Sequence, residues 1–133
     1  MELKHSEITA AIIKAFFIVY NALGYGFLEK VYANALAKEL RRMGYQIERE
    51  VRIDVYYQGE IVGEYFADLL VNGKVIIETK AAKELAPEHE AQLLNYLRAT
   101  PYEVGLVLNF GPKPEYIRKA FNNSRKPTQT WRA

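Results

Sequence analysis

The sequence contains no cysteine, only two histidines and a single tryptophan among 133 residues. The absence of cysteine excludes disulfide bonds, thiolate metal sites and cysteine nucleophiles. Lysine and arginine total 18 against 16 acids, and the net charge of +2 is too small to identify a nucleic-acid binder by composition. Any phosphate-binding surface must therefore be a local patch, and a reducing cytoplasmic location fits the composition.

The sequence also lacks an uninterrupted membrane-spanning run. Lys14 and Asn21 interrupt the apolar stretch from Ile8 to Leu23, which predicts a buried helix and no membrane partner. Half of the residues are apolar and 26% are charged, as in ordinary globular proteins. We predict a single domain over residues 1–121, in which 1–23 form an added N-terminal helix, and a polar tail over residues 122–133.

Periodicity and turn residues predict the order helix, helix, three strands, helix, strand, helix. This order indicates an α/β (α+β) fold with a mixed sheet flanked by helices. The predicted segments are a helix from the possible N-cap Ser6 to Leu23, a helix at about Phe27–Met43, strands at about Glu50–Tyr57, Glu60–Val71 and Lys74–Ala81, a helix at about Pro87–Thr100, a strand at Val104–Phe110 and a last helix from Pro114 to about Asn122.

Three charged residues lie in the second and third predicted strands. Glu78 and Lys80 are two residues apart, so both project from one face of the strand. Asp68 is a charge inside the apolar run Phe66 to Leu70. A cross-strand salt bridge between Lys80 and an acid is the simpler alternative, because Glu-x-Lys alone is weak evidence for a site.

Glu29 is an acid on the apolar face of the second predicted helix. It aligns with Leu36 and Leu40, so the helical period points it towards the core rather than solvent. The alternative is a boundary glutamate in a first helical turn, where negative charge is favoured. Together with Asp68 and Glu78, this acid predicts a cluster of oxygen ligands for Mg²⁺ or Mn²⁺, at which Lys80 can position or help deprotonate the attacking water.

The turn at Asn72-Gly73 decides whether the acids can meet. A two-residue turn would pair Asp68 with Ile77 and place Asp68 on the face opposite Glu78. We therefore predict a three-residue loop or a bulge with Gly73 in the left-handed region, which returns Asp68 to the face of Glu78.

The predicted helix after the third strand carries three polar side chains on one stripe. Gln92 and Tyr96 can contact phosphate or a water of the metal site. The alternative is that Gln92 satisfies a backbone group and Tyr96 is a core residue with a wet hydroxyl. For His89 we predict a solvated or capping role.

Four segments resemble one known family. Gly26-Phe27-Leu28-Glu29-Lys30-Val31-Tyr32 matches the GxxExxY signature, and the segments 67–71, 78–81 and 89–97 match its later blocks. The similarity runs from about Ile8 to Gly111. GxxExxY proteins are placed in the PD-(D/E)XK nuclease-like superfamily, so the resemblance implies a restriction-endonuclease-like core of helix, three strands, helix and strand.

The resemblance also implies roles for individual residues. The implied set is Asp68 and Glu78 as metal ligands, Lys80 as the catalytic lysine, Glu29 as a helix-borne acid and the main-chain carbonyl of Thr79 as a further ligand. Gln92 with Tyr96 resembles the QxxxY motif of RecB-like nucleases and extends the site.

These observations lead to three hypotheses. The first is a Mg²⁺- or Mn²⁺-dependent nuclease acting on DNA or RNA; the second is a non-catalytic module that binds nucleic acid or a protein on the same fold; the third is a phosphoryl enzyme acting on a small nucleotide. A homodimer or a protein partner is plausible for so short a chain. The candidate phosphate contacts are Lys83, Arg98, Arg118, Lys119, Arg125 and Lys126.

Overall fold

The computed structural model describes residues 3–126, in which the chain forms three α-helices, five strands and a short 3-10 helix. The elements are α1 (Ser6–Leu23), α2 (Glu29–Arg42), β1 (Ile47–Tyr57), β2 (Glu60–Val71), β3 (Val75–Lys80), α3 (Pro87–Arg98), β4 (Val104–Phe110), β5 (Pro114–Ala120) and the 3-10 helix Asn123–Arg125. The observed bounds differ from the predicted ones by up to three residues, as at Ile47, where β1 begins.

The strands form one mixed sheet in the order β1-β2-β3-β4-β5. Strands β3 and β4 are parallel, and the other neighbours are antiparallel. The parallel pair requires a crossover, which α3 provides. The predicted mixed sheet flanked by helices is confirmed, and the arrangement is that of a restriction-endonuclease-like fold.

Two apolar clusters lie on opposite faces of the sheet. One joins α1 and α2 to the sheet and includes Phe16, Tyr32 and Leu106; the other joins α3 to the sheet and includes Leu93 and Val107. Strand β4 is buried along its whole length because helices cover both of its faces. This explains why its sequence is a continuous apolar run instead of an alternating one.

Helix α1 buries one face only. Its buried residues repeat at helical spacing, whereas Phe17 and Ile18 are about one-third exposed. The prediction that this helix is buried is therefore correct for one face and wrong for the other. By length and composition alone α1 is able to cross a membrane, a test that core helices also pass. Ser6 is the first helical residue rather than the N-cap, which is His5.

The predicted last helix is wrong, because residues 114–120 form strand β5. This segment pairs antiparallel with all of β4, from Phe110 opposite Pro114 to Val104 opposite Ala120. Proline is compatible with the first residue of an edge strand as well as with a first helical turn. The strand is favoured because, without β5, the backbone N–H and C=O groups along one edge of β4 would have no hydrogen-bond partners.

The start of the predicted tail is packed against the domain. Residues 123–125 form the 3-10 helix, and the Lys126 ammonium donates hydrogen bonds of 2.8 Å to the main-chain carbonyls of Thr100 and Tyr102. The rest of the predicted tail, residues 127–133, lies outside the described residues.

Candidate active site

The loop between β2 and β3 sets the register of the acids. Val71 pairs with Val75, so the loop contains three residues, and Asn72 and Gly73 adopt left-handed φ angles of 51° and 65°. The predicted three-residue loop with Gly73 in the left-handed region is confirmed. Continuing the register from Leu69 opposite Ile77 places Asp68 opposite Glu78.

Side chains replace the regular backbone ladder at this position. The Asp68 amide donates to Glu78 Oε1 at 3.0 Å, and Asp68 Oδ2 accepts from the amide and the hydroxyl of Thr79 at 2.7 and 2.9 Å. The ladder between β2 and β3 covers only residues 69–71 and 75–77. The two carboxylates therefore occupy the point at which β2 separates from β3.

Lys80 lies beyond this point, on the α3 side of the sheet. Residue Ile76 belongs to the α3 cluster, and the alternation of β3 gives Glu78 and Lys80 the same side. Among residues 3–126, no carboxylate lies within 4.0 Å of the Lys80 ammonium. The alternative of a cross-strand salt bridge at Lys80 is therefore not observed.

Glu78 is a buried acid with an unusual ionisation. Its side chain is 5% exposed, and burial, followed by the charge of Asp68, raises its pKa to about 8. The charge of Glu29 acts in the same direction, whereas the Asp68 amide and Lys80 oppose the rise. Glu78 therefore holds its proton at neutral pH, and a cation bound at this position would displace that proton.

Glu29 is exposed, which contradicts its predicted orientation towards the core. It is the first residue of α2, so its side chain extends past the core that Leu36 and Leu40 face. Its position relative to the other acids does not depend on that orientation. Glu29 lines a cleft of about 190 Å³ together with Asp68 and Thr79.

Helix α3 brings Gln92 and Tyr96 next to the acids. Gln92 Nε2 donates a hydrogen bond to the Tyr96 hydroxyl at 3.2 Å. The partner in this hydrogen bond is a side chain and not the backbone group that the alternative prediction gave to Gln92. Burial, followed by the charges of Glu78 and Asp68, raises the pKa of Tyr96 to about 12. His89 Nδ1 accepts a 2.9 Å hydrogen bond from the Ala86 amide, which confirms its predicted capping role.

The arrangement agrees with a match to known sequences. A family model described as the PD-(D/E)XK nuclease superfamily matches residues 6–120, most of the chain. The chain belongs to the PD-(D/E)XK nuclease superfamily. No curated protein sequence matches it. Nucleases of this superfamily are generally dependent on divalent metal ions.

Two solved structures share the fold. An alkaline exonuclease from Laribacter hongkongensis, LHK-Exo, is 12% identical with a TM-score of 0.52, over 92% of this chain and 74% of the exonuclease. A protein named SSO0001 is 18% identical with a TM-score of 0.52, over 70% of this chain. This chain spans half the length of SSO0001. At sequence identities this low, the structural similarity shows a shared fold alone.

The donor set fits a hard divalent cation, although it is small. Within residues 3–126, no three histidine or acidic side chains come close enough to form a metal cluster. Mg²⁺ retains several waters and is commonly bound by one or two carboxylates. Asp68 and Glu78, supplemented by the Thr79 carbonyl, satisfy that lower requirement, and a bound cation would oppose the burial and the charge repulsion that raise the pKa of Glu78.

Several of the basic residues that were predicted to contact phosphate have other partners. Lys83 lines a cleft with Glu29, but Arg118 binds the Lys4 carbonyl, Lys119 pairs with Glu90 and the Lys126 ammonium is buried on main-chain carbonyls. The cleft of Asp68 is lined instead by Lys30 and Arg49. Sequence reasoning missed these two, although Lys30 directly follows Glu29 in the GxxExxY signature.

Proposed function

We propose that this protein is a Mg²⁺- or Mn²⁺-dependent nuclease that hydrolyses phosphodiester bonds in DNA or RNA. The observation that carries the proposal is the placement of Asp68 opposite Glu78 where β2 separates from β3, with Lys80 on the side of Glu78. The family match and the four segments that resemble GxxExxY proteins support it, and we include membership of that branch in the proposal.

The proposed roles follow from the position of each group. Asp68, Glu78 and the Thr79 carbonyl would hold the metal ion, which supplies Lewis-acid activation of the phosphate when bound. Lys80 would orient the attacking water and offset negative charge on the phosphate. Glu29 would complete the acid cluster through water, because it is exposed and lines the same cleft as Asp68.

Gln92 and Tyr96 would position the substrate strand. Their mutual hydrogen bond fixes the Tyr96 hydroxyl, whose pKa is raised to about 12 by burial and then by the charges of Glu78 and Asp68, so the hydroxyl is protonated. A protonated hydroxyl is a donor, and a donor next to the acids is suited to a phosphate oxygen. We expect Gln92 and Tyr96 to affect substrate placement more than metal binding.

Cleavage of labelled single-stranded, duplex and branched oligonucleotides tests the proposal. We expect the wild type to cut at least one of them with Mg²⁺ or Mn²⁺ and not with EDTA, and Asp68→Ala and Lys80→Ala to lower the rate about a hundredfold or more. Asp54→Ala, which removes a partly exposed charge, and Lys38→Ala, which removes an exposed one, lie elsewhere and serve as matched controls. Equal rates for all five proteins would contradict the proposal.

A non-catalytic nucleic-acid-binding or protein-interaction module is the second candidate. It is favoured by one observation, the lack of a three-acid cluster among residues 3–126. Binding of an oligonucleotide without metal-dependent cleavage would support this candidate. A homodimer or a protein partner remains a prediction under both candidates.

A further inference from the structure

A groove of about 440 Å³ lies between α3 and the β1–β2 hairpin. We call it the α3 groove. Its volume is in the range of pockets that bind small organic groups. The residues that line it are Val55 and Tyr65 from the hairpin and Glu88, Ala91, Gln92, Asn95, Tyr96, Arg98 and Ala99 from α3 and the residue after it.

The α3 groove adjoins the candidate active site. It shares Gln92 and Tyr96 with that site, and Tyr96 is close enough to Glu78 and Asp68 for both charges to act on its hydroxyl. A ligand in the groove would therefore be next to a phosphate placed at the two acids. This continuity favours an occupant that is covalently close to a phosphate.

The walls of the groove suit the flat, uncharged part of a nucleotide. The Tyr65 side chain is 48% exposed, and its ring is tilted by 49° to the Tyr96 ring at a centroid distance of 5.7 Å, so the two rings do not stack face to face. An exposed aromatic face is a stacking platform for a base. The carboxamides of Gln92 and Asn95 supply donors and acceptors for base edges.

The charges of the groove do not favour a phosphate there. Glu88 and Arg98 are its two charged lining residues, and the Arg98 guanidinium lies over the Phe121 ring, 5.6 Å from its centroid. A phosphate would find better partners at Lys80, or at Lys30 and Arg49 in the Asp68 cleft. A bound nucleotide would thus place its base on Tyr65 in the groove and its phosphate at the acids.

We propose that the α3 groove binds an unpaired nucleobase, stacked on Tyr65, of a strand whose phosphodiester lies at Asp68 and Glu78. The inference rests on the proposed function and names its substrate class, a single-stranded or frayed nucleic acid. A base within a duplex is paired and stacked on both faces, so it enters such a groove only after leaving the helix, which costs free energy.

Binding in EDTA tests the groove without cleavage. The probe is a single-stranded oligonucleotide containing the fluorescent base 2-aminopurine, compared with the same strand in a duplex. We expect fluorescence quenching and tighter binding for the single strand. Tyr65→Ala should weaken its affinity about fivefold to a hundredfold and abolish the quenching, because stacking on one aromatic ring is lost.

Two variants control the experiment. Tyr65→Phe keeps the ring and should bind as the wild type does. Tyr57→Ala removes a more exposed tyrosine of the same hairpin, outside the groove, and should also bind normally. Thermal melting of each variant verifies that it is folded, and if Tyr65→Ala does not fold, Tyr65→Leu replaces it as the variant that lacks an aromatic ring.

The outcomes separate this inference from the proposed function. Unchanged affinity without the Tyr65 ring, duplex binding as tight as single-strand binding, or no single-strand binding by the wild type would each overturn the inference. If metal-dependent cleavage is nevertheless observed, the proposed function stands alone. If the single strand binds through Tyr65 and is never cut, the groove stands and the nuclease proposal fails.

Discussion

At the scale of single residues, Glu78 is the acid whose environment differs most from water. Its partners are the Asp68 amide and, at longer range, Lys80, and neither offsets the cost of burying its charge. Asp68 is better satisfied, since Oδ2 accepts two hydrogen bonds from Thr79. The pair therefore combines an acid that is fixed by hydrogen bonds with one that holds its proton at neutral pH and would release it on binding a cation.

Glu78→Gln is expected to change the pH dependence of stability. Folding raises the pKa of Glu78 from 4.5 to about 8, so the folded protein holds a proton that the unfolded chain has lost between these values. The stability that this proton contributes is fully present below pH 4.5 and is lost as the pH rises through about 8. Glu78→Gln should remove this loss, raising the melting temperature by several degrees at pH 8 in EDTA.

Melting curves in EDTA at pH 5, 6, 7 and 8 measure this effect. Glu60→Gln, which neutralises an exposed acid at the start of β2, provides the control and should follow the wild type. Parallel pH profiles for the wild type and Glu78→Gln would show that Glu78 ionises normally.

At the scale of elements, strands β4 and β5 position the loop that follows Lys80. The fully buried Asn109 accepts from the Ala82 amide at 2.9 Å and donates to the Ala82 carbonyl at 3.1 Å. Glu115 accepts from the Leu85 amide at 3.2 Å. A Cβ at Gly111 would meet the Ala82 carbonyl oxygen at 2.2 Å, so the close approach of the two segments requires glycine.

Asn109→Ala is expected to release this loop. It leaves two main-chain groups of Ala82 without their side-chain partner, at a cost of about 1 to 3 kcal/mol. We expect faster amide hydrogen exchange at Ala82 and a lower cleavage rate, because the loop directly follows Lys80. Asn21→Ala, on the exposed surface of α1, is the control. Unchanged exchange at Ala82 would show that Asn109 does not hold the loop.

The elements also show what local sequence can and cannot predict. The β2–β3 loop was predictable for two reasons. A shared metal site requires Asp68 to lie opposite Glu78 and not opposite Ile77, and Asn72-Gly73 permits left-handed angles. Strand β5 was not, because its seven residues, beginning with Pro114, fit a first helical turn as well as a strand. Only pairing with β4, a contact with another element, distinguishes the two.

Helix periodicity failed for Glu29 for a related reason. The period gives the direction of a side chain around the helix axis, but not whether the core extends to that end of the helix. Tyr65 was missed because an aromatic residue in a strand is ordinarily explained by packing. Its significance depends on α3, which approaches it from a distant part of the sequence.

At the scale of the whole molecule, the charge is balanced and the candidate site is local. The net charge of +2 gives little general attraction to nucleic acid. The basic residues near the acids are few, and the α3 groove is largely uncharged. Affinity for a strand must therefore come from the metal ion, a small number of phosphate contacts and stacking, in agreement with a site placed at the end of the β2–β3 ladder between α2 and α3.

Calorimetric titration with Mn²⁺ at pH 7 tests the central claim, that Asp68 and Glu78 form a metal site. The account predicts saturable binding to the wild type and its loss in Asp68→Asn and Glu78→Gln, while Asp54→Asn binds normally. It also predicts proton release on binding, because the pKa of Glu78 is raised to about 8 and a ligand carboxylate must be deprotonated. Equal Mn²⁺ binding by the wild type and both site variants would contradict the account.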